Sequence, residues 1–252
     1  MKVIGIIPSR FASTRFPGKP LAMIKGKTMI RRVCEQAWKS KLDAVVVATD
    51  DMRISDEVLS FGGQYVLTYP NQQSGTDRCC EALEILEQPY DAVINIQGDE
   101  PFIDPKQIDL LVDTITQEGI SIASLVKRIE NEDDLFSTNT VKVVMDREGR
   151  GLYFSRTPIP FMRNVAREQW VEKGDFFQHI GIYAYKADVL RQIAGMQPSK
   201  LEQAESLEQL RWLENGLSIH VAVIDSSNIS IDTPDDLLKA EQLARTQILR
   251  EG

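Results

Sequence analysis

The sequence predicts an α/β fold with a mostly parallel sheet flanked by helices, and two features carry that expectation. Short apolar, β-branched runs recur at residues 3–7, 44–49, 92–96 and 120–126, and helical patterns stand between them. The runs are predominantly apolar, as strands buried on both faces are, and strands of that kind belong to parallel sheets covered by helices.

Each element follows from local chemistry. Residues 3–7 form an apolar run cut off at Pro8, too brief for a signal segment or a membrane span and well suited to a buried strand. Residues 28–39 place Met29, Ile30, Val33 and Ala37 at helical spacing, and residues 44–49 and 92–96 are the next two strands. Asp104 caps a helix that has Pro105 in its first turn and Ile108, Leu111, Val112 and Ile115 as its buried stripe. Residues 120–126 follow as a strand.

After about residue 127 the rhythm changes. Residues 141–145 and 152–154 are short strand candidates, and residues 157–175 are rich in proline, arginine and polar side chains, so an inserted subdomain or lid is expected over about 127–185. Residues 181–185 read as a strand, 202–215 as one helix with Leu207, Leu210 and Leu213 facing inward, and 217–223 as an alternating strand. Thr233 caps a last helix, with Pro234 at its first position and Asp236 three residues after the cap.

The 252 residues fit one large folding unit, and 42% hydrophobic with 26% charged residues is ordinary globular composition. A net charge of -8 argues against nucleic acid as a partner, since that binding relies on basic surfaces. No apolar stretch reaches membrane-span length. Cys34, Cys79 and Cys80 form neither a paired framework nor a metal-ligand spacing, which suits a reducing compartment, so a cytoplasmic protein is expected.

The first strand runs into Pro8-Ser9-Arg10-Phe11-Ala12-Ser13-Thr14-Arg15-Phe16-Pro17-Gly18-Lys19-Pro20. Arg10 and Arg15 offer forked donors, Lys19 a point charge, and Ser13 and Thr14 short hydroxyls, a set that can wrap a triphosphate; a solvated basic loop is the other reading. The spacing matches neither the P-loop nor the dinucleotide fingerprint, which weighs against kinases and nicotinamide enzymes. Asp99 and Glu100 follow the strand at 92–96 and so share that sheet edge, where carboxylates suit Mg²⁺ bound to phosphates. Asp232 has two readings, metal ligand or residue favouring a helix start. Asp50 and Asp51 read as surface carboxylates or a helix cap. Gln73-Ser74-Gly75-Thr76 lies in a polar loop before a helix that starts near Asp77; it can read a base edge or be a turn.

The loop from Ile7 to Leu21 closely resembles the signature loop of the 3-deoxy-manno-octulosonate cytidylyltransferase family. Val47-Ala48-Thr49-Asp50, Gln73-Ser74-Gly75-Thr76-Asp77-Arg78, Asn95-Ile96-Gln97-Gly98-Asp99-Glu100-Pro101, Tyr153-Phe154-Ser155-Arg156, His179-Ile180-Gly181-Ile182-Tyr183-Ala184-Tyr185, Leu207-Glu208-Gln209-Leu210-Arg211 and Ile231-Asp232-Thr233-Pro234 resemble the same family, in family order.

The resemblance implies one nucleotidyltransferase domain over residues 1–252, of the nucleotide-diphospho-sugar transferase type with a Rossmann-like sheet. It implies CTP and an acidic 2-keto sugar as substrates, Mg²⁺ held by Asp99 and Asp232, and catalysis carried also by Arg10 and Lys19. Pro8, Ser9, Arg10, Ser13, Thr14, Arg15, Lys19, Gln73, Ser74, Gly75, Thr76, Arg78 and Gln97 would bind the nucleotide. Arg156, His179, Tyr183, Glu208 and Gln209 would bind the sugar. The product would be CMP-activated octulosonate for lipopolysaccharide synthesis; an 8-amino-octulosonate or sialic acid is the alternative sugar. A homodimer is implied, formed through the 127–185 region. The chain departs from the family at Gln72, where histidine is common.

Overall fold

The computed structural model of the chain describes residues 1–12, 16–226, 230–231 and 233–238, so Ser13, Thr14, Arg15 and Asp232 lie outside the described residues. The chain parts into two compact units, Met1–Val112 with Asn228–Gly252, and Asp113–Ser227.

In the first unit β1 (Val3–Ser9) is followed by a small hairpin of β2 (Met23–Ile24) and β3 (Lys27–Thr28). Then come α1 (Met29–Ala37), β4 (Ala44–Thr49), α2 (Met52–Ser60), β5 (Tyr65–Leu67), α3 (Gly75–Ile85), β6 (Ala92–Asn95) and α4 (Pro105–Ile115). β1 pairs in parallel with β4 on one side and β6 on the other, and β4 pairs in parallel with β5. Val3, Ile4, Ile6 and Ile7 of β1 are all buried, as the unbroken apolar run requires. Gly5 interrupts that run for a steric reason: a Cβ there would lie 2.6 Å from Leu42 Cδ1 and 2.9 Å from Ile96 Cδ1.

Caps fix where the helices begin. The Thr28 hydroxyl accepts from the Arg31 amide at 3.4 Å, and Met29, Ile30, Val33 and Ala37 of α1 are buried as their spacing predicts. Asp51 caps α2 through the Arg53 amide. α3 starts at Gly75, two residues ahead of Asp77, because the Ser74 hydroxyl accepts from the Asp77 amide while the Asp77 carboxylate accepts from the Ser74 amide. In α4 Ile108, Leu111 and Ile115 are fully buried. Residues 234–238 are helical, and Thr233 and Asp236 form the reciprocal cap that the sequence predicts. Ile231 and Leu237 pack with Ile24, Met29, Phe16 and Phe102 in one apolar cluster. Because β1, β4, β5 and β6 run parallel, the loops after them emerge at one edge, where ligands of such sheets sit.

The second unit contains β7 (Ile122–Arg128), α5 (Glu132–Phe136), β8 (Lys142–Met145), β9 (Gly151–Ser155), α6 (Trp170–Lys173), β10 (Phe177–Lys186), α7 (Ala187–Ala194), α8 (Lys200–Glu205), α9 (Gln209–Glu214) and β11 (His220–Ile224). β10 pairs antiparallel with β7 and β8, β8 antiparallel with β9, and β11 parallel with β7. This unit is wider than residues 127–185, because its sheet draws β7 from before that range and β11 from beyond it. Residues 157–175 have their own anchor: Met162, Val165 and Trp170 pack with Ile129, Leu135 and Phe176.

The single helix expected over 202–215 is two helices, broken at Ser206, which adopts φ 53. A continuous helix would bond the carbonyls of Glu205 and Ser206 to amides four residues on. Arg156 takes those two carbonyls instead, through Nε at 2.7 Å and Nη2 at 3.2 Å. β11 begins at His220, not at residue 217, because the Leu217 amide still closes α9 on Trp212 O. No helix among the described residues is long and apolar enough to cross a membrane.

Candidate active site

At the strand edge of the first unit, Lys19 Nζ donates to Asp99 Oδ2 at 2.7 Å, which joins the end of the basic loop to the loop after β6. Arg10 donates from Nη2 to the main-chain carbonyls of Gln72 and Ser74. Burial, and then the charge of Arg78, lower its pKa. Pro8, Ser9, Arg10, Gln73, Ser74, Gly75, Thr76 and Gln97 all lie in or beside the loops at this edge. The approach is close. A Cβ on Gly98 would stand 3.0 Å from both the Pro8 carbonyl and Ser9 Oγ, and one on Gly75 would contact Pro8 and Asn95. Ser9 Oγ and Asn95 Oδ1 are buried with no hydrogen-bond partner among the described residues.

Some predicted residues are committed elsewhere. The Ser74 hydroxyl is the cap of α3, Gln73 is exposed with its amide on Asn71 O, and Thr76 is buried at 3% exposure. Arg78 is fully buried, with Nη1 on Thr68 Oγ1 and Nη2 on Asp50 Oδ2 at 2.9 Å, so its guanidinium braces the sheet edge and does not stand open to a nucleotide. Asp50 is therefore the counter-ion of a buried arginine, not a surface carboxylate, whereas Asp51 is the helix cap the sequence suggests. Gln72 donates its amide to Glu81 Oε2 at 2.6 Å while its carbonyl holds Arg10. Ile231 donates its amide to the Asp99 carbonyl at 2.9 Å.

In the second unit His179, Tyr183 and Glu208 come together. The His179 and Tyr183 rings lie 5.2 Å apart, and Tyr183 has its phenol raised well above the ordinary range by burial and then by the charge of Glu208. The His179 and Phe154 rings are nearly perpendicular with centroids 5.1 Å apart, and burial pushes the imidazole pKa down to about 3. Gln209 is buried. Each nitrogen of the Arg156 side chain donates to a main-chain carbonyl, those of Glu205, Thr138 and Ser206, so the residue is first a staple of this unit; two of its five N–H groups remain. Lys142, fully buried, fastens the same segment by donating to the carbonyls of Ser137, Thr140 and Arg156. Lys142, Ser124, Glu205 and Asn95 escape a reading of the sequence, although a lysine or serine inside an apolar strand is a signal that its side chain has an interior partner.

A family profile described as Cytidylyltransferase matches residues 4–219. The chain is 52% identical over 241 residues to the 3-deoxy-manno-octulosonate cytidylyltransferase of Cytophaga hutchinsonii, covering 95% of this chain and 96% of that one. It is 51% identical to the enzyme of the same name from Parabacteroides distasonis, covering 95% and 97%. Among solved structures it is similar to CMP:2-keto-3-deoxy-manno-octonic acid synthetase complexed with CTP, at TM-score 0.91 and 39% identity over 98% of this chain and 100% of that one. A sheet edge that gathers Arg10, Lys19 and Asp99, on a fold shared over its whole length with these enzymes, places the chain in the 3-deoxy-manno-octulosonate cytidylyltransferase family.

Proposed function

We propose that the chain couples CTP to 3-deoxy-manno-octulosonate, forming the CMP-sugar and pyrophosphate, and so activates that sugar for lipopolysaccharide synthesis. The anomeric hydroxyl of the ketose attacks the α-phosphorus in line; the new O–P bond forms as the bond to pyrophosphate breaks, and the hydroxyl proton passes to solvent. The observation that carries this reading is the Lys19 to Asp99 contact of 2.7 Å, a cation and a hard oxygen donor at one sheet edge. Arg10, held by the Gln72 and Ser74 carbonyls, and Lys19 neutralise phosphate charge and orient the nucleotide. Ser9 and Asn95, with buried polar atoms lacking partners among the described residues, suit the base or ribose. His179, Tyr183, Glu208 and the two remaining N–H groups of Arg156 suit a polyhydroxy acid.

Asp99 and Asp232 would hold Mg²⁺. The donor chemistry fits, since Mg²⁺ takes one or two carboxylates together with substrate phosphates, and Ile231, the residue before Asp232, is hydrogen-bonded to Asp99. When bound, the ion supplies charge neutralisation at the departing pyrophosphate. A homodimer through the 127–185 region belongs to this proposal on the family resemblance, and Leu152 and Phe161 of that region are exposed, at 60% and 76%. The protein works in the cytoplasm in this reading, with neither nucleic acid nor membrane as partner.

Pyrophosphate release from CTP with a panel of acidic sugars tests the assignment. The highest kcat/KM is expected for 3-deoxy-manno-octulosonate. A higher value for the 8-amino analogue or for sialic acid would overturn the sugar, and no release with any of them would overturn the reaction.

A further inference from the structure

β10 carries an irregularity opposite Ser124. Ile180 pairs with Leu125 and Tyr183 with Ser124, so two extra residues are inserted in β10 at this point. An insertion of two preserves the alternation of side chains, and His179, Tyr183 and Ser124 stay on one face of the sheet. Ser124 Oγ then stands 2.8 Å from Ile182 O, 3.2 Å from Ile180 O and 2.9 Å from His179 Nε2. Ser124 is fully buried, so its hydroxyl has no access to solvent.

A serine hydroxyl has one hydrogen to give and lone pairs to receive. Two of its three neighbours are carbonyl oxygens, which can only accept. The third, the imidazole, is the one group of the three able to supply a hydrogen. The contacts are mutually satisfied when the hydroxyl donates to Ile182 O, the shortest and fully buried partner, and Nε2–H donates to Ser124 Oγ. With the proton on Nδ1, the hydroxyl would turn to Nε2 and both carbonyls would lose this donor.

We infer that Ser124 is a positioning residue that locks His179 in the neutral Nε2–H tautomer, so that Nδ1 presents a lone pair to a ligand hydroxyl. This rests on the reading that His179 faces the sugar. Nδ1 makes no hydrogen bond among the described residues. Phe154 and Tyr183 pack against the half-buried imidazole, and desolvation lowers its pKa. A lone pair accepts from a hydroxyl and repels a carboxylate. His179 therefore takes one hydroxyl of the acidic sugar and leaves the carboxylate to a cation.

The chain has two histidines, so ¹⁵N spectra of the imidazole rings are assigned with the single variant His179→Gln. In the unaltered protein the His179 proton is expected on Nε2 from pH 8 down to 5; a proton on Nδ1, or on both nitrogens, overturns the proposal. Because no alteration at Ser124 is needed for that measurement, a folding defect cannot obscure it. In Ser124→Ala a mixture of tautomers is expected, with KM for the sugar raised severalfold and KM for CTP unchanged. Ser124→Thr, which keeps the hydroxyl, should restore the single tautomer. An unmixed Nε2–H tautomer in Ser124→Ala overturns the role of Ser124. Adding 3-deoxy-manno-octulosonate should shift the Nδ1 resonance; an unmoved resonance with Nε2–H intact defeats the placement of the sugar, not the tautomer lock.

Discussion

At the scale of single residues, two arginine or lysine pairs at the same sheet edge have opposite meanings. Lys19 and Asp99 keep 17% and 24% side-chain exposure, so water still reaches both ends of the pair. Lys19→Ala is expected to lower kcat by about a hundredfold to a thousandfold, as loss of one transition-state donor does, with the unfolding midpoint nearly unmoved. Steady-state kinetics beside a denaturant titration would show this, and a loss under tenfold would remove Lys19 from the chemistry. Asp99→Asn should greatly weaken the dependence of rate on Mg²⁺ concentration; an unaltered metal titration would exclude Asp99 as a ligand. Arg78, at 0% exposure against Asp50 at 15%, is the reverse case. Arg78→Ala strands a carboxylate and should cost about 3–5 kcal/mol of stability, measured by urea unfolding. A cost below about 1 kcal/mol would mean that the pair does not brace the edge.

At the scale of elements, the basic loop after β1 is tied through Phe11 and Gly18. The Gly18 amide closes on Phe11 O at 2.9 Å, and Gly18, at φ 70, lies so close to the Phe11 ring that a Cβ would be 3.1 Å away. The Arg53 guanidinium covers that ring at 3.3 Å and is itself tied to Asp51 at the start of α2. Arg53 is 60% exposed, so its loss should spare the fold while loosening the loop. Arg53→Ala is expected to raise KM for CTP about twofold to fivefold, the equivalent of one exposed cation–π contact. Unchanged KM would show that the loop holds itself. What the sequence discloses and what it hides divide along the same line. Strands 3–7, 44–49 and 92–96 and the stripes of α1 and α4 were legible because burial imposes a period on neighbouring residues. The cap at Thr233 was legible because it is made within four residues. The break at Ser206 was not, since it depends on Arg156, 50 residues away, taking carbonyls that helix propensity alone would leave to the helix. That Lys19 and Asp99 share one sheet edge could be read from charge and strand position. That Arg78 faces inward to Asp50, and that Ser124 underlies His179, are matters of packing across strands, on which local sequence is silent.

At the scale of the whole molecule, the two histidines make stability depend on pH in a window of their own. An unfolded histidine takes a proton near 6.5, whereas folded His179 resists it until about 3. His220 is also lowered, by burial and then by the charge of Arg150, with Asp146 and Glu148 opposing. Between those values the unfolded chain binds more protons than the folded one, so stability is fully present above about pH 6.5 and falls as the pH drops below it. The depressed carboxylates act lower. Asp51, held down first by hydrogen bonds from Arg53, and Asp146, held down first by the Arg150 amide, contribute above about pH 4 and lose that contribution only below it. The interval from pH 7 to 5 therefore isolates the histidines. One imidazole kept wholly neutral accounts for at most about 2 kcal/mol over that interval. Urea unfolding of the unaltered protein at pH 7 and pH 5 should show a loss of stability on acidification, and His179→Gln should show a clearly smaller one. Equal losses in the two proteins would mean that the His179 ring is open to protons in the folded state, and that the enclosure by Phe154 and Tyr183 does not keep it neutral.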